Sequence, residues 1–412
     1  MKILLVAGAR PNYMKIAPLV HELQKRGRGV QWRLVDTGQH YDYELSKIFF
    51  EQFALPKPHH FLNVGSASHA VQTAKIMVEF EKVCRQEDPG LVVVVGDVNS
   101  TLACSITARK MGIRIAHVEA GLRSFDRSMP EEINRIVTDS ISDYLFVSER
   151  SGLVNLSREG FVVSDELMGR RGDMETRRVS SISESPSHPV TQSIDRSNSK
   201  VFFVGNIMID TLFFCLDKLK KNTKAGSSSL KPINPSTHQL INNSSKYAVL
   251  TLHRPANVDV KETFLDIMRA IAQISKDMPV FFPCHPRTAK NIGTFKLKSW
   301  LKKTGIQPLP PLSYLDFLAL WKDAALVLTD SGGIQEETPV VGVPCFTIRD
   351  TTERPVTVSQ GTNILVGASG AGILKTYGEF GKGKIKNGTI PELWDGHTAG
   401  RIVSRLLADR GF

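Results

Sequence analysis

Short apolar runs alternate with helix-period segments along most of the chain. Continuous runs at Lys2–Ala7, Leu91–Val95, Ile113–Val118, Tyr144–Val147, Val201–Val204, Tyr247–Leu252, Val280–Cys284, Ala325–Thr329 and Pro344–Ile348 predict strands. A strand buried on both faces reads as an unbroken apolar run, as Leu91-Val92-Val93-Val94-Val95 does. After the first run, Ile16, Leu19, Val20 and Leu23 recur at i, i+3, i+4 and i+7, which predicts a helix with one buried face. A further helix is predicted over Ile209–Lys221. Strands alternating with helices in this way indicate an α/β fold with parallel sheets and crossover helices.

Two stretches break the pattern. Residues 164–199 are rich in Ser and Arg, and residues 222–245 in Ser, Asn, Lys and Pro; neither contains Phe, Trp or Tyr. Such segments bury little apolar surface, so both are expected to be mobile or disordered. A domain boundary is expected near Gly205-Asn206. It gives an N-terminal unit of residues 1–205 carrying the first polar stretch, and a second unit from 206 carrying the other.

A length of 412 residues suits two or three domains. No apolar run approaches the roughly 20 residues needed to cross a bilayer. The opening Met1-Lys2-Ile3-Leu4-Leu5-Val6 is too short for a secretory core and reads as a strand, so a cytoplasmic location is expected. Cys84, Cys104, Cys215, Cys284 and Cys345 are odd in number, scattered and without a CxxC pair, which signals neither a disulfide framework nor a zinc site. The net charge of +11 collects in Arg170, Arg171, Arg177 and Arg178, in Lys218–Lys224 and in Lys296–Lys303. No nucleic-acid-binding motif accompanies it, and a small anionic substrate fits a positive cleft equally well.

Parallel open sheets bind ligands beyond the carboxyl ends of their strands. At those ends stand Gly8-Ala9-Arg10-Pro11-Asn12, Gly96-Asp97, His117-Val118-Glu119-Ala120-Gly121, His253-Arg254, His285-Pro286-Arg287 and Asp330-Ser331-Gly332-Gly333. Ser331-Gly332-Gly333 opens a predicted helix, whose free N–H groups and dipole suit a phosphate; a plain glycine turn is the alternative. No GxGxxG or P-loop is present, so neither a nicotinamide cofactor nor ATP is indicated. Asp97, Glu119 and Glu131 could serve as acid and base if they converge. Asp97 could instead cap the next helix, and Glu131 after Pro130 suits a first helical turn. Glu119, between apolar neighbours at a buried strand end, is harder to explain structurally. His253 and His285 are not spaced as a metal pair, and no metal is expected.

The blocks Gly8-Ala-Arg-Pro-Asn-Tyr-Met-Lys15, Gly96-Asp97, His117-Val-Glu-Ala-Gly-Leu-Arg123, Pro130-Glu-Glu-Ile-Asn-Arg135, Val204-Gly-Asn-Ile-Met-Ile-Asp210, Thr251-Leu-His-Arg254, Asp330-Ser-Gly-Gly-Ile-Gln-Glu-Glu337 and Arg349-Asp-Thr-Thr-Glu-Arg-Pro355 occur in that order. Together they resemble the non-hydrolysing UDP-N-acetylglucosamine 2-epimerases over nearly the whole chain except the two polar stretches. The resemblance implies a glycosyltransferase-B architecture, with two Rossmann-like domains and a cleft between them. It also implies a second domain ending near 393 and a helix in 394–412, matched by Trp394–Leu407, that crosses back to the first domain. The implied activity is interconversion of UDP-GlcNAc and UDP-ManNAc without metal or cofactor, for surface polysaccharide. The implied course is anti elimination of UDP to a 2-acetamidoglucal and re-addition. A homodimer is implied.

Carried over residue by residue, the resemblance places Asp97, Glu119, Glu131 and His253 at catalytic positions. It places Arg10, Lys15, Ser331, Gly332, Gly333, Glu337 and Arg354 at UDP-contacting positions. Gln39, Asp42, Arg254 and His285 fall in regions resembling the family's allosteric UDP-GlcNAc pocket. There the chain departs from the bacterial pattern: it reads His253-Arg-Pro-Ala-Asn257 for His-Arg-Arg-Glu-Asn, and Asp42 replaces a glutamine. A glycosyltransferase of the same fold, a 2-epimerase of a UDP-diacetamido-uronic acid and a non-catalytic UDP-sugar sensor are the competing readings. The presence of all three carboxylates favours epimerisation over the transferase and the sensor, and leaves the choice of sugar open.

Overall fold

A computed structural model describes residues 2–38, 43–168, 199–224 and 246–409. Within them lie two parallel sheets. The first is built from β1 (Lys2–Ala7), β2 (Gln31–Asp36), β3 (His60–Phe61), β4 (Leu91–Val95), β5 (Arg114–Ala120), β6 (Tyr144–Val147) and β7 (Lys200–Phe203) in the order β3-β2-β1-β4-β5-β6-β7. The second is built from β8 (Ala248–Thr251), β9 (Val280–Pro283), β10 (Ile306–Leu309), β11 (Leu326–Thr329), β12 (Cys345–Thr347) and β13 (Asn363–Leu365) in the order β10-β9-β8-β11-β12-β13. Each order reverses once, between β1 and β4 and between β8 and β11. Those reversals open a crevice at the carboxyl ends of both sheets.

The nine predicted strands are present, with ends shifted by a residue or two at several of them. β2, β3, β10 and β13 were not predicted. β3, β10 and β13 are sheet edges, and β2 borders an edge. A strand half-open to solvent mixes polar and apolar residues: the β2 segment Gln31-Trp-Arg-Leu-Val-Asp36 is buried only over its last three residues. The predicted helical face Ile16, Leu19, Val20 and Leu23 lies in the helix Arg10–Lys25 and is fully buried. The helix expected over Ile209–Lys221 runs Ile207–Lys224. Of the polar stretch 164–199, Asp165–Met168 forms one helical turn. Most of both polar stretches lies outside the described residues, as do Gln39 and Asp42.

The helix Ile207–Lys224 packs against both Arg10–Lys25 and Gly332–Val341, so it ties the two sheets' outer layers together. One apolar core runs through Ile16, Leu212, Cys215, Trp321, Val327, Trp394 and Ile402. The last helix, Thr398–Ala408, lies on Arg10–Lys25. Its first N–H groups have no cap from their own segment; Asp210 supplies one, accepting from Thr398 N at 3.1 Å and Ala399 N at 2.8 Å. Trp394 is 1% exposed and its Nε1 donates to the Ser148 carbonyl at 3.1 Å.

Gly205, just after β7, has φ +86°, and a Cβ there would sit 2.1 Å from the Leu393 carbonyl oxygen. Gly205→Ala combines left-handed strain with a backbone clash, so it should lower stability by roughly 2–4 kcal/mol. Gly400→Ala, inside a helix with open space at its Cβ, should instead gain up to about 1 kcal/mol. Urea midpoints read both; a Gly205→Ala protein as stable as wild type would show that this corner moves freely away from Leu393.

Candidate active site

The turn after β1 is fixed by Asn12. Its Oδ1 accepts from Gly8 N at 3.1 Å and Ala9 N at 3.0 Å, and its Nδ2 donates to the Val95 carbonyl at 3.1 Å. The ends of β1 and β4 are thereby locked side by side. Arg10 opens the helix Arg10–Lys25, and its side chain lies outside the described residues. One turn on, buried Lys15 pairs with Glu119. Burial opposes the Lys15 charge, but Glu119, Asp97 and Glu336 outweigh it and raise its pKa. Gly96 has φ +66°, and a Cβ there would lie 2.8 Å from the Lys15 Nζ, so any other residue would displace the ammonium.

Glu119 is the strained residue of the site. Its φ is +74°, and the β5–β6 register slips between Val118 and Ala120. A bulge of this kind re-aims one side chain at a sheet rim. The carboxyl is 4% exposed. Burial works to raise its pKa, but the charges of Lys15 and Arg354 outweigh burial and hold it below the usual carboxylate range.

Asp97 does not cap the following helix, whose N-cap is Val98. Its Oδ2 instead accepts from Arg135 Nε at 3.0 Å and Nη2 at 2.7 Å. Arg135 also donates to Glu132 at 2.7 Å, and Glu132 accepts from Ser124 N and Phe125 N at 2.9 Å each. Glu131 stands in the first turn of Pro130–Ile141, half-buried, with no hydrogen bond or ion pair among the described residues. Glu132 and Arg135 were legible only as parts of a motif block; nothing in spacing marked them as the support of Asp97.

In the second sheet, fully buried Asp330 organises the end of β8. It accepts from His253 N at 3.1 Å, Arg254 N at 2.9 Å, Asn257 Nδ2 at 3.1 Å and His253 Nδ1 at 2.9 Å. Burial would raise Asp330, but the His253 bond and charge outweigh it, so it is held low. The His253 and His285 rings lie 5.7 Å apart, and His285 caps the helix Pro286–Thr294 by accepting from Arg287 N at 3.2 Å. Arg254 lies 3.7 Å from Glu353, which also pairs with Arg349 at 2.8 Å; burial, then the Arg349 charge, lower the Arg254 pKa. Pro255 takes the first position of the helix Pro255–Val258, where its missing N–H costs nothing. Ser331 holds the N-cap position of Gly332–Val341 without a side-chain capping bond among the described residues, and the Cβ directions of Gly332 and Gly333 meet open space.

The two sheets meet at Arg354. Its Nη2 lies 2.8 Å from Glu119, its Nε 3.1 Å from Glu336 and its Nη1 3.8 Å from Glu149, and Nη1 donates to Ser148 Oγ at 2.6 Å. Burial opposes the guanidinium charge, and Glu336 and Glu119 more than restore it. Glu336 is raised chiefly by burial and also accepts from Asn206 Nδ2 at 2.5 Å. Glu337 accepts from the Tyr314 hydroxyl at 2.5 Å, and burial pushes it up to about 8. Lys15, Glu119 and Arg354 are thus in direct contact, and Glu336 joins them one turn beyond Gly332-Gly333. His253 and Ser331 share the β8–β11 crevice and bond to none of that group.

Residues 21–407 match the model of the UDP-N-acetylglucosamine 2-epimerase family. A Methanocaldococcus jannaschii UDP-N-acetylglucosamine 2-epimerase is 39% identical over 410 residues, 99% of each chain. The crystal structure of the Methanocaldococcus jannaschii UDP-GlcNAc 2-epimerase in complex with UDP-GlcNAc and UDP superposes with a TM-score of 0.77 at 38% identity, again over 99% of each chain. A Pseudomonas aeruginosa UDP-2,3-diacetamido-2,3-dideoxy-D-glucuronate 2-epimerase is 36% identical over 370 residues, 90% of this chain and 89% of that one.

Glu149 generates a pH prediction. It is 2% exposed, its Oε2 has no hydrogen-bond partner among the described residues, and burial pushes its pKa from 4.5 up to about 7. The folded protein therefore holds a proton that the unfolded chain releases. That contribution is complete below pH ~4.5 and is lost as pH rises through about 7. Glu149→Gln keeps the shape without titrating, so its stability relative to wild type should improve across that window, by on the order of 2 kcal/mol. Urea melts at pH 4.5, 6 and 8 measure this; parallel curves for the two proteins would contradict it.

Proposed function

The chain belongs to the UDP-N-acetylglucosamine 2-epimerase family, enzymes of the isomerase class, and from that premise we propose that it interconverts UDP-GlcNAc and UDP-ManNAc by inverting C2. The observation that carries the reading is Glu119: a buried, ionised carboxylate in left-handed backbone, gripped by cations from both sheets, beside the strand that ends in Asp97. Strained backbone of this kind clusters at functional sites.

In the proposed reaction a carboxylate takes the C2 proton, the C1–O bond breaks, and UDP leaves anti to give a 2-acetamidoglucal. UDP then re-adds at C1 while C2 is protonated on its other face. Asp97, Glu119 and Glu131 are the acid–base set. His253, oriented by Asp330, faces the diphosphate. Arg10, Lys15 and the N–H groups of Gly332 and Gly333 neutralise it, and Glu337 meets the ribose. Arg354 has five N–H groups; Glu119, Ser148 and Glu336 engage three and Glu149 faces Nη1 at 3.8 Å, which leaves one for UDP.

The chain divides, on this reading, near Gly205-Asn206 into units carrying one sheet each, with the last helix returning to the first. Among the described residues no helix is long and apolar enough to cross a membrane, and five buried, unpaired thiols suit the cytoplasm. The open Cβ directions at Gly332 and Gly333 support the diphosphate assignment. The Pseudomonas aeruginosa relative supports one second reading, the same inversion on a diacetamido-uronic acid.

Incubation with UDP-GlcNAc alone should yield UDP-ManNAc by proton NMR. Turnover confined to the diacetamido-uronate nucleotide would move the substrate to the second reading, and turnover of neither would refute both. Gly332→Val should leave the thermal midpoint near wild type, because its Cβ meets nothing within 4 Å. It should weaken UDP binding at least about tenfold, or ~1.4 kcal/mol, by calorimetry. Unchanged affinity would remove the diphosphate from this turn.

A further inference from the structure

His117 is wholly buried, and both ring nitrogens meet oxygen acceptors. Nε2 lies 2.8 Å from the Gly96 carbonyl, and Nδ1 lies 2.6 Å from Asp139 Oδ1. A carbonyl accepts and never donates, so Nε2 carries a hydrogen. On the other side, Asp139 Oδ2 already accepts from Gly121 N at 3.0 Å and pairs with Arg123 Nη2 at 2.8 Å. Those bonds favour the ionised carboxylate; burial opposes it, and His117 and Arg123 outweigh burial and hold Asp139 low. The proton between Nδ1 and Oδ1 therefore resides on the ring.

We propose that His117 is a positioning residue: both of its ring N–H groups donate, and they tie the carbonyl just before Asp97 to the carboxylate that holds Gly121, two residues past Glu119. The bonds on the two sides of the ring fall on the strand ends that carry the acid–base pair. Gly96 and Gly121 both have positive φ, +66° and +78°, so each is a glycine corner whose backbone has wide freedom unless hydrogen bonds fix it. Gly96 N also donates to the Val118 carbonyl at 3.1 Å, closing the loop between the two ends. The charge is balanced locally. Asp139 comes from the helix Pro130–Ile141, Arg123 from the loop after β5, and Glu159, 2.7 Å from Arg123, from the end of Arg150–Arg158. A buried imidazolium without such counter-charge would not persist.

The bonding pattern rests on the hydrogen-bond geometry and the charges around Asp139; its consequence for turnover rests on the epimerase reading. Nitrogen-15 NMR of histidine-labelled wild-type protein at pH 7.5 tests the first. His117 should show two protonated nitrogens, and one bare nitrogen would overturn the proposal. Two variants test the second. In His117→Gln the amide can reach the ring Nε2 position and keep Gly96; in His117→Asn it can reach only the Nδ1 position facing Asp139. His117→Asn should lose about a hundredfold in kcat with KM within about threefold of wild type, and His117→Gln should recover part of that loss. Equal losses in the two variants, or kcat unchanged in His117→Asn, would overturn the positioning role. If the variants fail to fold, the wild-type spectrum still decides the bonding. A wild type inactive on every UDP-sugar tried would sink the epimerase reading while leaving the NMR result intact.

Discussion

A carboxylate buried between two cations from different sheets sets the terms for the rest of this molecule. Placing Glu119, Lys15 and Arg354 out of water costs several kcal/mol per ion, and only close pairing offsets it. The pairing requires that the helix after β1 point Lys15 at β5, and that the segment after β12 carry Arg354 across to the first sheet. Gly96 must lack a side chain, and the β5–β6 register must slip by one residue. Each feature looks local when taken alone. Together they are the conditions under which one ionised acid can face the space between two sheets.

The surrounding acids complete the electrostatics. Glu149 and Glu336 also face Arg354, and burial raises both. Glu119 touches both cations and is held low, whereas Glu149 and Glu336 face Arg354 alone at close range and are the acids that burial pushes up. A site organised this way holds one firm anion, Glu119, between two cations, which leaves positive charge over. That suits a substrate bringing a diphosphate of its own. Both sheets reverse their strand order at this crevice, which is why groups as far apart in sequence as Glu119 and Arg354 arrive there together.

Much of this was legible in the sequence because buried parallel strands announce themselves. Every central strand appeared as an apolar run, and the residues just past each run include Asp97, Glu119, His253 and the Ser331-Gly332-Gly333 turn. The same rule extended past Tyr144–Val147 reaches Ser148 and Glu149, two further neighbours of Arg354. β3, β10 and β13 stayed silent because they are short edge strands, and β2 because its first three residues are not buried and dilute the apolar signal. The partners of each acid were beyond reach. No periodicity reports that Arg135 holds Asp97, that Asp330 orients His253, or that Arg354 crosses between sheets, since these are contacts over long sequence separations. The positive φ of Glu119 is likewise invisible in a residue type that favours helices. Gln39, Asp42 and the Arg10 side chain fall outside the described residues, so the expected second pocket is represented by Arg254 and His285.

If the C2 proton passes through Glu119, solvent exchange at that carbon reports it most directly. Wild-type protein incubated with UDP-GlcNAc in deuterium oxide should place deuterium at C2 of both the recovered substrate and its epimer. Glu119→Gln, which preserves shape and removes the charge, should slow that incorporation by at least about a hundredfold while UDP still binds. Deuterium entering C2 at the wild-type rate in the folded Glu119→Gln protein would contradict this role, and would leave the strain and pairing at Glu119 as purely structural.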